Sequence, residues 1–444
     1  MRALHLAPRF ADNRWVITNP SPTPTPLQSA HMSTSFPKDK INVLLLEGVH
    51  PRGVGMFRED GFSVQTLPGS PDPKDLPALL EKTHILGLRS KTQLTAELLG
   101  HAPRLLAVGC FCIGTDQVDL PAAAALGTPV FNSPFGNTRS VAELTVGEVI
   151  ALYRQLLPKS VGMHAGQWDK SAAGSHEVRG KTLGIVGYGH IGSQVSVLAE
   201  ALGMRVIYHD IIPKLPLGNA RAVRSLAELL PQADVVTLHV PATEQTESLI
   251  GERELAMMKK GSFLINNARG LVVDIPALAK ALKGGHLGGA ALDVFPVEPA
   301  SKGDRFASEV QGLPNVILTP HVGGSTAEAQ ESIAEDVARK LMSFVNTGST
   351  TGAVNVPQVE LPEHAGDADD RRTHRILHFH RNVPGVLSKM HRLIADLGAN
   401  INAEYLRTNA DLGYVVLDVD PTDADPILAG LRSIPETIRV RVLW

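Results

Sequence analysis

The chain has 444 residues, of which 43% are hydrophobic and 20% are charged, and its formal net charge is −3. This length allows two or three domains with cores of their own, and the small negative charge gives no support for nucleic-acid binding. No apolar stretch reaches the ~18 residues that span a bilayer, and Cys110 and Cys112 fit neither a disulfide framework nor a CxxC pair. We therefore expect a soluble, cytoplasmic protein with free thiols and without a membrane or nucleic-acid partner.

Residues 1–35 have the composition of a disordered tail. Pro20, Pro22, Pro24 and Pro26 alternate with serine and threonine, and no apolar period could build a core. Met32 stands just before the first convincing strand, so a start at Met32 or a short tail is favoured over a targeting segment.

Apolar strand-like runs alternate with helical stretches from there onward, which predicts parallel sheets covered by helices. The predicted strands are Ile41–Leu46, His84–Leu88, Leu105–Val108, Val235–Leu238, Phe263–Asn266, Gly289–Leu292 and Val316–Thr319. The predicted helices include Leu76–Lys82, Pro121–Leu126, Ser140–Leu157 and Ser325–Asn346.

The segment Gly187–Gly192 has the pattern GxGxxG and lies between the apolar run Leu183–Val186 and the helical stretch Ser193–Leu202. In a dinucleotide-binding turn, the first glycine permits the bend, Gly189 lets the backbone approach a pyrophosphate, and Gly192 lets helix and strand pack closely. The helix N-terminus then offers unpaired N–H groups to the phosphates. This order of strand, turn and helix predicts a dinucleotide site.

Asp210 ends the next apolar run, Arg205–His209. It stands 18 residues after Gly192. In dinucleotide-binding domains, a carboxylate about this far along the chain from the glycine turn binds the ribose hydroxyls and would repel a 2′-phosphate. Ile211 and Ile212 follow it, so no arginine is present there to bind such a phosphate. NAD is therefore predicted rather than NADP.

The fold prediction is α/β, with two interleaved doubly wound, Rossmann-like domains and a smaller C-terminal domain. Residues 138–324 form the NAD-binding domain, residues 36–137 and 325–346 form a substrate-binding domain, and residues 347–372 form a linker. Residues 373–444 predict a ferredoxin-like βαββαβ module with a binding role. Its elements are strand Arg375–His380, helix Val386–Leu397, strands Asn400–Leu406 and Tyr414–Val419, helix Ala424–Ser433 and strand Ile438–Val442.

Arg269, Glu298 and His321 each follow the carboxyl end of a predicted strand, which is the edge where open α/β sheets bind ligands. Hydride transfer from an alcohol to a nicotinamide needs a base, and histidine is suited to that role near neutral pH. An acid beside it fixes its tautomer, and an arginine can orient a substrate carboxylate. Metal binding is not favoured, because the HxxxH pair His374 and His378 falls on a predicted strand.

Four motifs resemble the D-isomer-specific 2-hydroxyacid dehydrogenases: Gly187–Gly192, Asn267–Gly270, Asp293–Pro299 and Pro320–Gly324. The resemblance implies that Arg269, Glu298 and His321 are catalytic. It implies that NAD is bound by Gly187, Gly189, His190, Ile191, Gly192, Asp210, Asn267, Ala268, Arg269, Asp293, His321, Gly323 and Gly324. The family often has serine where this chain has Ala268, which removes one hydroxyl contact to the cofactor.

The resemblance also implies a substrate, 3-phospho-D-glycerate, which would be oxidised to 3-phosphohydroxypyruvate in the first step of L-serine biosynthesis, with reduction of 2-oxoglutarate as a side activity. Arg89, Ser90 and Lys170 resemble the phosphate-binding positions, and Arg269 would bind the substrate carboxylate. Two fixed cations and a hydroxyl suit a phosphate that carries ~1.5–2 negative charges.

The C-terminal module resembles an ACT domain, a fold that binds amino acids where two copies meet. By this resemblance His380, Asn382 and Asn400 bind L-serine as a feedback effector, although Arg381 stands where relatives often carry an acid. Helix Ser140–Leu157 would mediate dimerisation, and paired C-terminal modules would complete a homotetramer. Two alternatives stay open: a dehydrogenase of the glycerate or glyoxylate type, and a nonenzymatic NAD-sensing scaffold.

Overall fold

The protein is described by a computed structural model over residues 36–299, 303–361, 373–420 and 424–443. The tail predicted to be disordered, residues 1–35, lies outside these ranges, as do residues 362–372 of the predicted linker. Within the described residues, no helix combines the length and apolar character needed to cross a membrane.

The first sheet of the described chain has five parallel strands in the order β2-β1-β3-β4-β5. Strands β3, β4 and β5 are buried along their whole length, because helices cover both faces of the sheet, and this explains their continuous apolar sequences. The strands are β1 (Asn42–Leu45), β2 (Ser63–Thr66), β3 (Ile85–Leu88), β4 (Ala107–Cys110) and β5 (Val130–Asn132). The helices between them are α1 (Pro51–Glu59), α2 (Leu76–Leu80), α3 (Ala96–Gly100) and α4 (Leu120–Ala125).

The second sheet has seven parallel strands in the order β12-β11-β10-β9-β6-β7-β8 within the described residues. They are β6 (Thr182–Val186), β7 (Arg205–His209), β8 (Arg221–Ala222), β9 (Val235–Leu238), β10 (Phe263–Asn266), β11 (Gly289–Leu292) and β12 (Val316–Leu318). The associated helices are α5 (Thr138–Arg154), α6 (Leu156–His164), α7 (His190–Ala201), α8 (Leu226–Leu229), α9 (Glu252–Met257) and α10 (Ile275–Lys283). Strand β6 pairs with β7 on one side and with β9 on the other, so the strand order reverses at β6. Such a reversal opens a crevice at the carboxyl ends of the strands.

The single long helix predicted over Ser140–Leu157 is wrong. Helix α5 ends at Arg154, Gln155 takes a left-handed conformation with φ 49°, and α6 begins at Leu156. Pro158 gives the physical reason, because in a continuous helix its ring would clash with the carbonyl of Arg154, four residues earlier.

Helix α11 (Ala327–Thr347) packs against α1 and β4, which returns the chain to the first sheet. A Cβ on Gly109 of β4 would lie 2.7 Å from Val337 of this helix, so the helix approaches the strand closely. The residues after α11 also join this core: Ala353 pairs with Phe131 of β5, and Val359 is 4% exposed. The described part of the predicted linker is therefore packed on the first sheet.

The C-terminal sheet is antiparallel, in the order β14-β15-β13-β16. Its strands are β13 (His374–Arg381), β14 (Ile401–Thr408), β15 (Leu412–Val419) and β16 (Thr437–Val442), and its helices are α12 (Val386–Asp396) and α13 (Ala424–Ser433). This confirms the predicted βαββαβ module. Part of this sheet packs on the first sheet: Phe379 and Tyr414 share a core with Phe344, and Arg439 donates to the carbonyl of Leu105 at 2.5 Å.

Candidate active site

The glycine turn has the shape that a dinucleotide needs. A Cβ on Gly187, which has φ +91°, would collide with the carbonyl of His239, and a Cβ on Gly192 would collide with the carbonyl of Gly187. A Cβ on Gly189 would meet no atom within 4 Å, so the space over this residue is open. The first residues of helix α7 are His190 and Ile191. The N-cap residue, Gly189, has no side chain that could accept hydrogen bonds from the N–H groups of the first helical turn. The turn therefore leaves room and donors for a pyrophosphate.

Asp210 fastens the end of β7 to this turn. Its Oδ2 accepts a hydrogen bond from the Tyr188 N–H at 2.8 Å, and its Oδ1 accepts one from the Ile212 N–H at 2.9 Å. The carboxylate is therefore held beside the turn with lone pairs to spare. A negative charge at this point suits ribose hydroxyls and disfavours a 2′-phosphate.

The structure brings Glu298 and His321 into contact. Strands β10, β11 and β12 are parallel neighbours, so Arg269, Glu298 and His321, which follow them, meet at one edge of the sheet. Nδ1 of His321 lies 2.9 Å from Oε2 of Glu298. Since a carboxylate only accepts, Nδ1 carries the proton and Nε2 has the free lone pair. The charge of Arg269 acts on both partners.

Asp293, at the end of β11, holds the loop that carries His321. Its Oδ1 accepts from the Thr319 hydroxyl at 2.5 Å and the Val322 N–H at 2.8 Å, and its Oδ2 accepts from the Gly323 N–H at 2.7 Å. His321 has φ +56°, a left-handed conformation that costs free energy for a residue other than glycine. These three hydrogen bonds, together with one from the His321 N–H to the Thr319 carbonyl at 3.1 Å, hold the loop in this conformation. Gly324, which follows Gly323 in this loop, is tightly packed against the side chain of Asn137.

The pKa values of the pair move apart as expected for an acid that supports a base. The hydrogen bond to Glu298 raises the pKa of His321, burial and Arg269 oppose this rise, and the charges of Glu298 and Asp293 add to it. Burial alone would raise the pKa of Glu298, but His321, the Phe295 N–H and Arg269 together lower it. The arrangement is therefore suited to a histidine that accepts and returns a proton.

Arg269 reaches the loop that follows β4 of the first sheet. Its Nη2 would lie 3.9 Å from a Cβ on Gly114 of this loop, and its Nη1 donates to the carbonyl of Ala268 at 2.8 Å. Burial raises the pKa of the Cys112 thiol to about 11, and the nearby charges of Arg89 and Arg269 oppose this rise. Contacts support the same placement, because the Cys112 thiol donates to the carbonyl of Gly114 at 3.1 Å and accepts from the Gln117 side chain at 3.3 Å, and that side chain also donates to the carbonyl of Arg89.

The loop with Arg89 and Ser90 is held in place on both sides. The Gln117 side chain donates to the carbonyl of Arg89 at 2.6 Å. The Glu47 carboxylate accepts the N–H groups of Lys91 and Thr92 at 3.0 and 2.8 Å. A fixed loop at the end of β3 can hold a cation and a hydroxyl at constant positions for a phosphate.

Lys170 lies elsewhere in the chain. It is exposed, and the described hydrogen bonds of its segment run to α6, where Lys159 donates to Asp169 at 3.3 Å and to the Ser171 carbonyl at 2.9 Å. The structure therefore does not place Lys170 beside Arg89 within one chain.

The three residues predicted to bind serine are divided between the two ends of the C-terminal sheet. His380 and Asn382 lie where β13 ends, beside Asp411, whose carbonyl accepts from the Asn382 N–H at 2.8 Å. Asn400 precedes β14, beside Asp420 at the opposite end of β15. Because β15 is 8 residues long, about 25 Å separates the two ends. One chain alone therefore does not assemble these three residues.

Three residues beside the cleft were not predicted from the sequence. Glu148 of α5 accepts from the Asn267 side chain at 2.7 Å, and Thr145 accepts from the same amide at 3.0 Å. The ring of Phe135 packs against His190 with centroids 3.8 Å apart. Glu148 had a detectable signal, since a charged residue interrupts the buried helical face of Val141, Thr145, Val149 and Leu152.

Comparison with protein families gives two matches. Residues 146–323 match the model described as D-isomer specific 2-hydroxyacid dehydrogenase, NAD binding domain. Residues 376–439 match the model described as AHAS small subunit-like ACT domain. The first range contains the glycine turn and the three strand ends, and the second contains most of the C-terminal module.

Named relatives match almost the whole chain. D-3-phosphoglycerate dehydrogenase of Haemophilus influenzae is 53% identical, over 92% of this chain and 99% of the relative. The enzyme of the same name from Escherichia coli K12 is 50% identical, over 92% of this chain and 99% of the relative. Among solved structures, D-lactate dehydrogenase from Aquifex aeolicus, complexed with NAD and lactic acid, matches with a TM-score of 0.63 and 29% identity, and the match covers 71% of this chain and 100% of that one.

Replacing Glu298 by glutamine should lower the pKa of His321, because the charge and much of the strength of its hydrogen bond disappear. The imidazole titration of His321, followed by NMR, measures this shift. Glu404→Gln, which removes the carboxylate beside His391 at 3.0 Å, is the matched control and should leave His321 unchanged. An identical His321 titration in wild type and Glu298→Gln would show that the pair is not coupled.

Proposed function

The chain belongs to the D-isomer-specific 2-hydroxyacid dehydrogenase family and is an NAD-dependent oxidoreductase, and from this premise we propose that it oxidises 3-phospho-D-glycerate to 3-phosphohydroxypyruvate, the first step of L-serine biosynthesis. The main support is a match of about 50% identity to relatives of that activity along 99% of their length. The position of Arg269, Glu298 and His321 at adjoining strand ends adds chemical support.

The residues of the cleft account for both parts of the reaction. NAD supplies the carbon that receives the hydride from C2. Nε2 of His321 takes the proton of the C2 hydroxyl, and Glu298 stabilises the imidazolium that forms. Arg269 binds the substrate carboxylate and stabilises charge on the developing carbonyl oxygen. The reverse proton transfer would serve the reduction of 2-oxoglutarate, which we propose as a side activity.

Arg89 and Ser90 are proposed to bind the substrate phosphate. Their loop lies near Arg269, because Gln117 connects the Arg89 carbonyl to Cys112, and Cys112 donates to the carbonyl of Gly114 beside Arg269. Two cations on opposite walls can hold a substrate that carries a carboxylate at one end and a phosphate at the other. A short carbon chain then lies between them with C2 next to Arg269.

We propose that two chains pair through α6 and the segment after it. Leu156, Val161 and Trp168 are 57%, 68% and 76% exposed, and a surface with this much apolar area favours burial against a partner. Lys170 lies on the same segment. We place it at this interface, where it would serve the phosphate site of the neighbouring subunit.

The C-terminal modules are proposed to bind L-serine between two copies. His380 and Asn382 of one module and Asn400 of another would supply acceptors and donors for the carboxylate and ammonium of the ligand. An antiparallel pairing of two sheets brings the opposite ends of each together, which overcomes their separation within one chain. Such pairing, combined with the α6 contact, gives a homotetramer.

Replacing Arg89 by glutamine should raise the KM for 3-phosphoglycerate by about 10- to 100-fold, since one charged hydrogen bond to the phosphate is lost, with little change in NAD affinity. NADH formation measures this, with D-glycerate as the unphosphorylated comparison and Lys74→Gln, a change at an exposed lysine paired with Asp72, as the control. Equal turnover of both substrates by the wild type would favour a glycerate or glyoxylate dehydrogenase. No NADH formation from either would favour the sensing scaffold.

Millimolar L-serine should reduce NADH formation from 3-phosphoglycerate in the wild type. Asn400→Ala should abolish most of this inhibition and keep the uninhibited rate, because Asn400 lies in the C-terminal module, away from the described cleft. Asp396→Asn, an exposed site at the end of α12 in the same module, is the control variant, and D-serine is the control ligand. Inhibition of Asn400→Ala equal to that of the wild type would remove this residue from the serine site.

A further inference from the structure

Glu148 is a buried carboxyl group that the proposed reaction does not use. It lies on α5 and is 4% exposed. Its Oε2 accepts from the Asn267 amide at 2.7 Å, whereas its Oε1 has no hydrogen-bond partner among the described residues. Burying a carboxylate with half of its acceptor capacity unused is costly, so its presence calls for a role.

The surroundings of Glu148 make its charge harder to keep. Burial raises the pKa of Glu148 to about 7, the hydrogen bond from Asn267 opposes this rise, and the negative charge of Asp293 adds to it. These are the groups that act on it from the ends of β10 and β11. On its own helix, Thr145 accepts from the same Asn267 amide at 3.0 Å and donates to the Val141 carbonyl at 2.8 Å.

Asn267 connects Glu148 to the segment that carries Arg269. The Ala268 N–H donates to the Asn266 side chain at 3.1 Å, and the Asn266 amide donates to the carbonyl of Arg269 at 3.0 Å. Arg269 in turn donates to the carbonyl of Ala268 at 2.8 Å. A side chain that fixes Asn267 to α5 therefore also fixes the backbone from which Arg269 extends.

Glu148 and Asp293 also place two carboxyl groups next to the strand ends where the nicotinamide is proposed to bind. The nicotinamide ring is positively charged in NAD⁺ and neutral in NADH. A fixed negative charge in a poorly solvated region attracts the first form and not the second. The ionisation of Glu148 and the binding of NAD⁺ must then favour each other.

We propose that Glu148 is a positioning residue of the active site, whose carboxylate fixes the Asn267–Arg269 segment to α5 and whose charge favours the oxidised over the reduced cofactor. The proposal rests on the proposed function, which needs the nicotinamide beside Arg269 and His321 at this edge of the sheet. It does not depend on the identity of the hydroxyacid substrate.

The sign of the pH effect follows from this coupling. NAD⁺ binding lowers the pKa of Glu148, so a proton is released and NAD⁺ affinity rises as the pH increases through neutrality. The nicotinamide of NADH is neutral, so NADH affinity should not rise with pH because of Glu148. Protonated His321 also repels NAD⁺ at low pH, but this contribution is the same in the wild type and in a Glu148 variant.

Calorimetric titration with NAD⁺ and NADH at pH 6 and pH 8, without substrate, tests the proposal. For the wild type, a decrease of about one pH unit in the pKa on binding gives an affinity rise of about fivefold due to Glu148. Glu148→Gln keeps an acceptor for Asn267 and should lose this part of the rise, with a lower NAD⁺ affinity at pH 8. Glu143→Gln, an exposed site on the same helix that pairs with Arg139, should match the wild type.

Several outcomes would overturn the proposal. One is the same pH dependence of NAD⁺ affinity in the wild type and Glu148→Gln, and another is an equal loss of NADH affinity. If Glu148→Gln does not fold, the ¹³C carboxyl signal of Glu148 in the wild type decides instead: we expect a midpoint near 7, and a midpoint in the usual glutamate range contradicts the proposal. Because no substrate is present, a failure of 3-phosphoglycerate turnover leaves this test unaffected.

Discussion

The Asp293 carboxylate is the contact on which the site depends most. It is 1% exposed and accepts three hydrogen bonds from the loop after β12. Together with the hydrogen bond from the His321 N–H to the Thr319 carbonyl, these bonds hold the left-handed backbone of His321, whose imidazole contacts Glu298. The parallel pairing of β11 with β12 makes this contact available, because it places the ends of both strands at the same edge.

The same edge also faces the second wall of the cleft. Arg269 follows the end of β10, and its Nη2 would lie 3.9 Å from a Cβ on Gly114, in the loop that follows β4 of the first sheet. The C-terminal module adds a third connection, since Tyr414 donates to the carbonyl of Gly348 at 2.6 Å just after α11, the helix that packs on β4. The C-terminal module therefore packs on the same domain whose loops carry Arg89 and Gly114.

Much of this arrangement could be predicted from the sequence, because its signals are local. The glycine turn, Asp210 and the residues after β10, β11 and β12 are readable from apolar runs and the residues that end them. The break at Gln155 could also be predicted, because Pro158 disfavours a continuous helix. The apolar helical period continues across this position, however, and favoured a single helix. The pairing of Glu148 with Asn267, the reach of Arg269 to Gly114 and the separation of Asn382 from Asn400 depend on tertiary packing and strand direction, which no local pattern contains.

The turnover of His321→Ala tests the central claim most directly, namely that His321, held by Glu298, is the base of the reaction. NADH formation from saturating 3-phosphoglycerate is measured with and without added imidazole, together with NAD⁺ affinity. The account predicts a loss of turnover of roughly 10²- to 10⁴-fold, partial recovery with imidazole and little change in NAD⁺ affinity. Turnover within a few-fold of the wild type would contradict it.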